Sequence, residues 1–172
     1  MGKDSSKPLT NGAKRGIIPV AGIIIDEDGV NKALNIEDII NSGGISGALD
    51  PSSDEAIAHA SMMYEEIRHR TTDAVKIAQN TGWDETVIAE IKSHMFYNEY
   101  NLRGTMQKFD PDFDQAQAWD RLTQGKQSDV DIVLLNHEIT ELRLMRDFGY
   151  SYDEAHKKAN EKFNWQQIID RR

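Results

Sequence analysis

The residues best suited to chemistry stand in one short run, HEITE at His137–Glu141, inside the longer stretch Ser128–Gly149. A helix is expected from Asp129 to Phe148. On it, residues three and four apart share a face, so His137 and Glu141 point the same way and Glu138 lies beside them. Val133, Leu134, Leu144, Met145 and Phe148 recur at the spacing of a core-facing stripe, and Leu135, Ile139 and Leu142 form a second apolar row. A helix apolar over most of its circumference would hold His137 and the two glutamates in a cleft between packed partners. Carboxylates are costly to bury unless they are paired or coordinated, which sets this cluster apart from surface charge. The bland alternative has Glu138 and Glu141 paired with arginines of other helices and His137 satisfied near the core.

Two further histidines can reach that face. His94 lies in Lys92–Glu99, KSHMFYNE, followed by Tyr100 and by Arg103 and Gly104, whose turn-like character suits the rim of a cleft. His156 lies on the last helical segment, joined to the central one by the short Gly149–Ser151 connection. Helices joined so closely are antiparallel neighbours, and His156 then falls level with Glu141. Two chemistries fit the set. In one, His137, Glu141, His156 and His94 hold a divalent metal that activates water, with a neighbouring carboxylate as base. In the other, a histidine and Glu138 or Glu141 form an acid–base pair while Lys92, Arg103 or Arg143 stabilises developing negative charge. HEITE resembles half of the zinc-protease helix motif, but Glu141 stands where the second histidine is required.

The elements that must position these residues are helical from Pro51 onward. Ser52 with Glu55 forms a capping-box pattern, and Ile57, Met63, Ile67, Ala74 and Ala78 predict a helix to about Asn80, with a kink near Thr71. His59 and His69 fall on its periphery, outside any site. Asp84 is expected to cap a helix whose core face is Val87, Ile88, Ile91 and Met95. Phe109–Phe113, FDPDF, reads as a turn before a short helix through Ala116, Trp119 and Leu122 that ends at Gly125. Asp110, Asp112 and Asp114 alternate as in a calcium loop, yet Gln115 and Arg121 occupy the positions that need glycine and glutamate, so an acidic turn and helix cap is expected. Ser128 with Asp131 and Ser151 with Glu154 cap the last two helices, and Gly149 closes the central one.

Before Pro51 the chain changes character. Residues 1–16 carry four basic side chains against one acidic and no periodicity, and read as a flexible leader. Residues 17–50 open with IIPVAGIII, broken by Pro19 and Gly22 and too short to span a bilayer. They read as an extended or small β element with a loop, packed on a helical domain of residues 51–172. Asn41–Gly47, NSGGISG, has no lysine after its glycines and does not make a phosphate loop. The fold class is therefore mostly α: a compact helical domain with an N-terminal extended or small β element.

Composition bounds the function. With 172 residues, 38% hydrophobic and 28% charged, the chain has room for one ordinary globular domain. It contains no cysteine, which excludes disulfides, thiolate nucleophiles and cysteine-ligated metals. A net charge of −9 argues against a non-specific duplex-DNA binder, and less against a nuclease whose active site is itself carboxylate-rich.

Four runs carry a resemblance: KSHMF at Lys92–Phe96, FDPDFDQAQAWDRL at Phe109–Leu122, LLNHEITE at Leu134–Glu141 and YDEAHKKANEKFNW at Tyr152–Trp165. They resemble the C-terminal domains of bacterial polymorphic toxins and of phage head-associated proteins, over about half the chain. The resemblance implies a toxin-like effector or phage-encoded accessory domain, cytoplasmic or phage-associated, and adds weight to Lys92, His94, His137, Glu138, Glu141 and His156 as one set. The expected function is a hydrolase acting on a phosphodiester, with nucleic acid as substrate only and an immunity-type inhibitor as a candidate protein partner. The competing expectation is a non-enzymatic accessory protein that acts through protein–protein binding.

Overall fold

The computed structural model describes residues 53–171, so the leader, the 17–50 segment and the Ser52 cap lie outside the described residues. Of these residues 71% are helical, in seven helices and one two-stranded sheet, which makes the fold mostly α as expected. The helices are α1 (Asp54–His69), α2 (Asp73–Thr81), α3 (Glu85–Phe96), α4 (Phe113–Gln124), α5 (Asp129–Phe148), α6 (Tyr152–Lys162) and α7 (Trp165–Ile169). Between α3 and α4 stands a hairpin of β1 (Tyr100–Leu102) and β2 (Thr105–Gln107). No described helix is long and apolar enough to cross a membrane.

The helix that was expected to run to Asn80 with a kink is instead two helices. The hydroxyl of Ser53, one residue later than expected, caps α1 by accepting from Ala56 N at 3.1 Å. The chain leaves the helix at Arg70, whose backbone is extended, and re-enters at Asp73. The buried face of α1 is Ala56, Ala60, Met63, Tyr64 and Ile67, while Ile57 is 52% exposed and not part of the stripe. His59 and His69 are exposed, as expected. Asp73 is drawn inward because Lys92 Nζ at 2.8 Å and Trp119 Nε1 at 2.9 Å both donate to its carboxylate, tying α2, α3 and α4 together.

The central helix α5 has the bounds expected, roughly 30 Å of rod. The Asp131 carboxylate accepts from Ser128 N at 2.9 Å, and Arg121 Nε and Nη2 grip the same group at 2.9 and 2.6 Å. Val133, Leu134, Leu135 and Ile139 enter the main core with Ile88, Ile91, Phe96, Trp119 and Leu122. The buried positions stop at Glu141. Leu144 and Met145 are only partly covered, and Phe148 is 72% exposed, stacked on Tyr150 rather than set in the core as expected.

Two features near the site add to the sequence expectation: strands flank the turn expected at Arg103–Gly104, and a short helix follows the end of the last expected one at Phe163. The hairpin turns on Arg103 (φ 55°) and Gly104 (φ 86°), both left-handed, the signature of a two-residue turn whose twist matches its strands. The last helix breaks at Phe163, and Asn164 recaps a short α7 by accepting from Gln167 N at 3.0 Å. That break turns the Phe163 carbonyl towards α5.

Candidate functional site

Three elements bring the predicted residues together. Helix α5 supplies His137, Glu138 and Glu141, all buried. Helix α3 packs on it and delivers His94, fully buried, while α6 returns antiparallel through Gly149–Ser151 and delivers half-buried His156. Glu141 is the hub. Its Oε1 lies 3.0 Å from His94 Nε2, and its Oε2 lies 2.7 Å from His156 Nδ1 and 3.5 Å from His137 Nε2. His137 Nε2 and His156 Nδ1 stand 3.3 Å apart, and Glu138 Oε2 is 3.5 Å from His94 Nε2. The five-residue convergence is therefore met. Among the described residues the arginine pairing of the bland alternative is not found: Glu138 and Glu141 face imidazoles, while Arg121, Arg70 and Arg146 engage Asp131, Asp120 and Glu90.

His137 and His94 are each held from behind. His137 Nδ1 is 2.9 Å from the Phe163 carbonyl, which only accepts, so Nδ1 carries a hydrogen and Nε2 faces the carboxylates. His94 Nδ1 is 2.6 Å from the Tyr100 hydroxyl, which also accepts from Asn98 Nδ2 at 3.0 Å. Phe109 lies edge-on to His94 and stacks on Tyr100, and Tyr152 packs beside both Phe109 and His156. The hairpin and the FDPDF turn thus build an aromatic wall around the imidazoles.

Burial and charge set the proton affinities apart. Loss of solvent drives Glu138 above the ordinary carboxylate range, against the pull of His137. Glu141 is also desolvated, yet hydrogen bonds from His137, His156 and His94 hold its carboxyl well below that range. Burial alone would lower His137, but the Glu141 hydrogen bond and the charges of Glu138 and Glu141 raise it above its usual value. Two adjacent carboxylates with opposite shifts are the pattern of an acid–base site.

His137, Glu138, Glu141 and His156 form the floor of a cleft of about 290 Å³, and fully buried His94 backs the two carboxylates from beneath it. Asp110, Asp112 and Asp153 make its walls acidic, and Arg103, at the hairpin turn, brings a positive charge to them. Asp112 also caps α4, accepting from Gln115 N at 2.8 Å, so the acidic turn and cap expected of this stretch is present. Trp165 and Asn160 line the cleft as well, and their Nε1 and Oδ1 atoms are buried without a hydrogen-bond partner.

The structure places Lys92 outside the cleft. Its Nζ donates to Arg70 O at 2.6 Å and to Asp73 at 2.8 Å, away from the cleft, because burial forces the ammonium to its nearest acceptors. Arg143 is not part of the cleft lining either. Phe109, Tyr152 and Trp165 were not singled out as site residues. Their only sequence signal is aromatic character beside turns, which packing explains equally well. Comparison of the chain with protein-family models, curated proteins and solved structures finds no match.

Proposed function

We propose that the cleft is a hydrolytic site in which the His94–His137–His156–Glu138–Glu141 cluster activates water against a phosphodiester. The observation that carries the reading is the convergence of two imidazoles and two carboxylates of unlike proton affinity at the floor of one cleft, with the buried His94 imidazole behind them. Such a floor can take a proton from water and return one to a leaving oxygen, the two halves of hydrolysis. Arg103 in the cleft lining would meet a phosphate oxygen, and the Trp165 indole would add a donor that has no hydrogen-bond partner among the described residues. In the toxin-like or phage-associated setting that the sequence resembles, an immunity-type inhibitor would act by filling this cleft.

The test compares wild type with His137→Ala and Glu138→Ala on RNA, single-stranded DNA and peptide, each variant first checked for native circular dichroism. Loss of one acid–base partner should lower diester cleavage by roughly a hundredfold or more. Equal rates in all three proteins, or no diester cleaved by wild type, would sink the reading.

The second reading is a non-enzymatic accessory protein. It is favoured by the acidic cleft walls and the net charge of −9, which repel a polyanion. In that case His137→Ala would weaken capture of a protein partner only in step with unfolding.

A further inference from the structure

The donor atoms on and just beneath the cleft floor do not form one shell. They form two triads: His137, Glu141 and His156 in one, and His94, Glu138 and Glu141 in the other, with the atoms of each within 4.8 Å of one another. The triads share Glu141 alone, and they use different oxygens of it, Oε2 facing His137 and His156 and Oε1 facing His94.

From this division we infer that the cleft holds two divalent metal ions, one in each triad, with Glu141 bridging them. The inference deepens the hydrolytic reading and rests on it only for the purpose the ions serve. Bonds of about 2.0–2.2 Å to nitrogen and oxygen put neighbouring ligands of a tetrahedron roughly 3.3–3.6 Å apart. His137 Nε2 to His156 Nδ1 at 3.3 Å, His137 Nε2 to Glu141 Oε2 at 3.5 Å and His94 Nε2 to Glu138 Oε2 at 3.5 Å already have that spacing. The two shorter contacts, 2.7 Å at His156 and 3.0 Å at His94, are hydrogen bonds that open when ions replace protons.

Three observations besides spacing favour ions. His137 donates from Nδ1 to a backbone carbonyl, so its neutral form directs an Nε2 lone pair towards a Glu141 carboxylate oxygen 3.5 Å away, a meeting of acceptors that a cation relieves. A ligating histidine is ordinarily fixed through its other nitrogen, and His137 and His94 both are, by Phe163 O and by Tyr100. Tyr100 can donate or accept, so it serves His94 in either tautomer. Charge gives the third. One ion only neutralises Glu138 and Glu141, whereas two leave the floor cationic, which reconciles acidic cleft walls with an anionic substrate. Paired ions in phosphoryl hydrolysis stand about 3.5–4 Å apart, a separation that one bridging carboxylate imposes. The mixed imidazole and carboxylate donors suit zinc or manganese rather than calcium.

Full-length protein is stripped with chelator and loaded separately with Zn²⁺, for mass-spectrometric metal counting, and with Mn²⁺, for electron paramagnetic resonance. Wild type should bind two ions per chain and show a spin-coupled manganese pair. His94→Ala and His156→Ala should each retain one ion and give the uncoupled manganese spectrum. His156 is half-buried, so its variant keeps the test decisive if the buried His94 variant does not fold. One ion or none in wild type, two uncoupled ions, or two ions still held by folded His156→Ala would overturn the inference. Two coupled ions without diester cleavage would leave the inference standing and remove the hydrolytic reading. Full diester cleavage by protein holding one ion or none would do the reverse.

Discussion

Lys92 and His94 stand two residues apart on the same helix and have opposite fates. His94 turns to the α5 carboxylates, while Lys92 turns to Asp73 and is consumed by the core. Sequence alone gave no means of separating them, because both are polar residues in an otherwise apolar segment and the deciding acceptor, Asp73, is nineteen residues away. Lys92→Met would leave the buried Asp73 carboxylate without its cation, answered among the described residues by the neutral donors Trp119 Nε1 and Ala74 N. Removing one partner of a buried pair typically costs about 3–5 kcal/mol. Urea unfolding should register that loss, while the folded variant keeps its wild-type diester cleavage. A selective fall in cleavage without destabilisation would return Lys92 to the site.

At the scale of elements, the capped helices were legible because each start and stop has a local cause: Asp84, Asp112 and Ser151 accept from the first turn, and Gly125 and Gly149 end their helices left-handed. The strands of the hairpin and the short α7 after Phe163 were not. Arg103–Gly104 is an uncommon pair for a two-residue turn, and Phe163 interrupts its helix without a proline or glycine. Both features matter to the site, since one carries Tyr100 and Arg103 and the other frees a carbonyl for His137. The two helix-ending glycines predict a ranking. At Gly149 a Cβ would meet nothing within 4 Å, so Gly149→Ala costs only the left-handed backbone, about 1–2 kcal/mol. At Gly125 a Cβ would lie 3.3 Å from the Asn80 side chain, whose amide holds the carbonyls of Leu122 and Thr123. Gly125→Ala should therefore lower the melting temperature more than Gly149→Ala, and the opposite order would contradict this packing.

At the scale of the whole molecule, a protein of net charge −9 presents an acidic cleft whose floor is a His/Glu cluster. Among the described residues that line the cleft, Arg103 is the one lysine or arginine. Arg103→Asn keeps a residue tolerant of positive φ at the turn while removing the charge. It should raise KM for a diester severalfold and weaken the salt dependence of binding, with the melting temperature unchanged; an unaltered KM would take Arg103 out of substrate recognition. The central claim is that Glu141 organises a reactive floor and is not merely a buried charge answered by histidines. Glu141→Gln keeps the shape and removes the charge, so the direct measurement is its diester hydrolysis rate beside wild type, with unfolding followed in parallel. The account predicts that hydrolysis falls by roughly a hundredfold or more while the protein still folds cooperatively. A folded Glu141→Gln protein that hydrolyses the diester at the wild-type rate would contradict it.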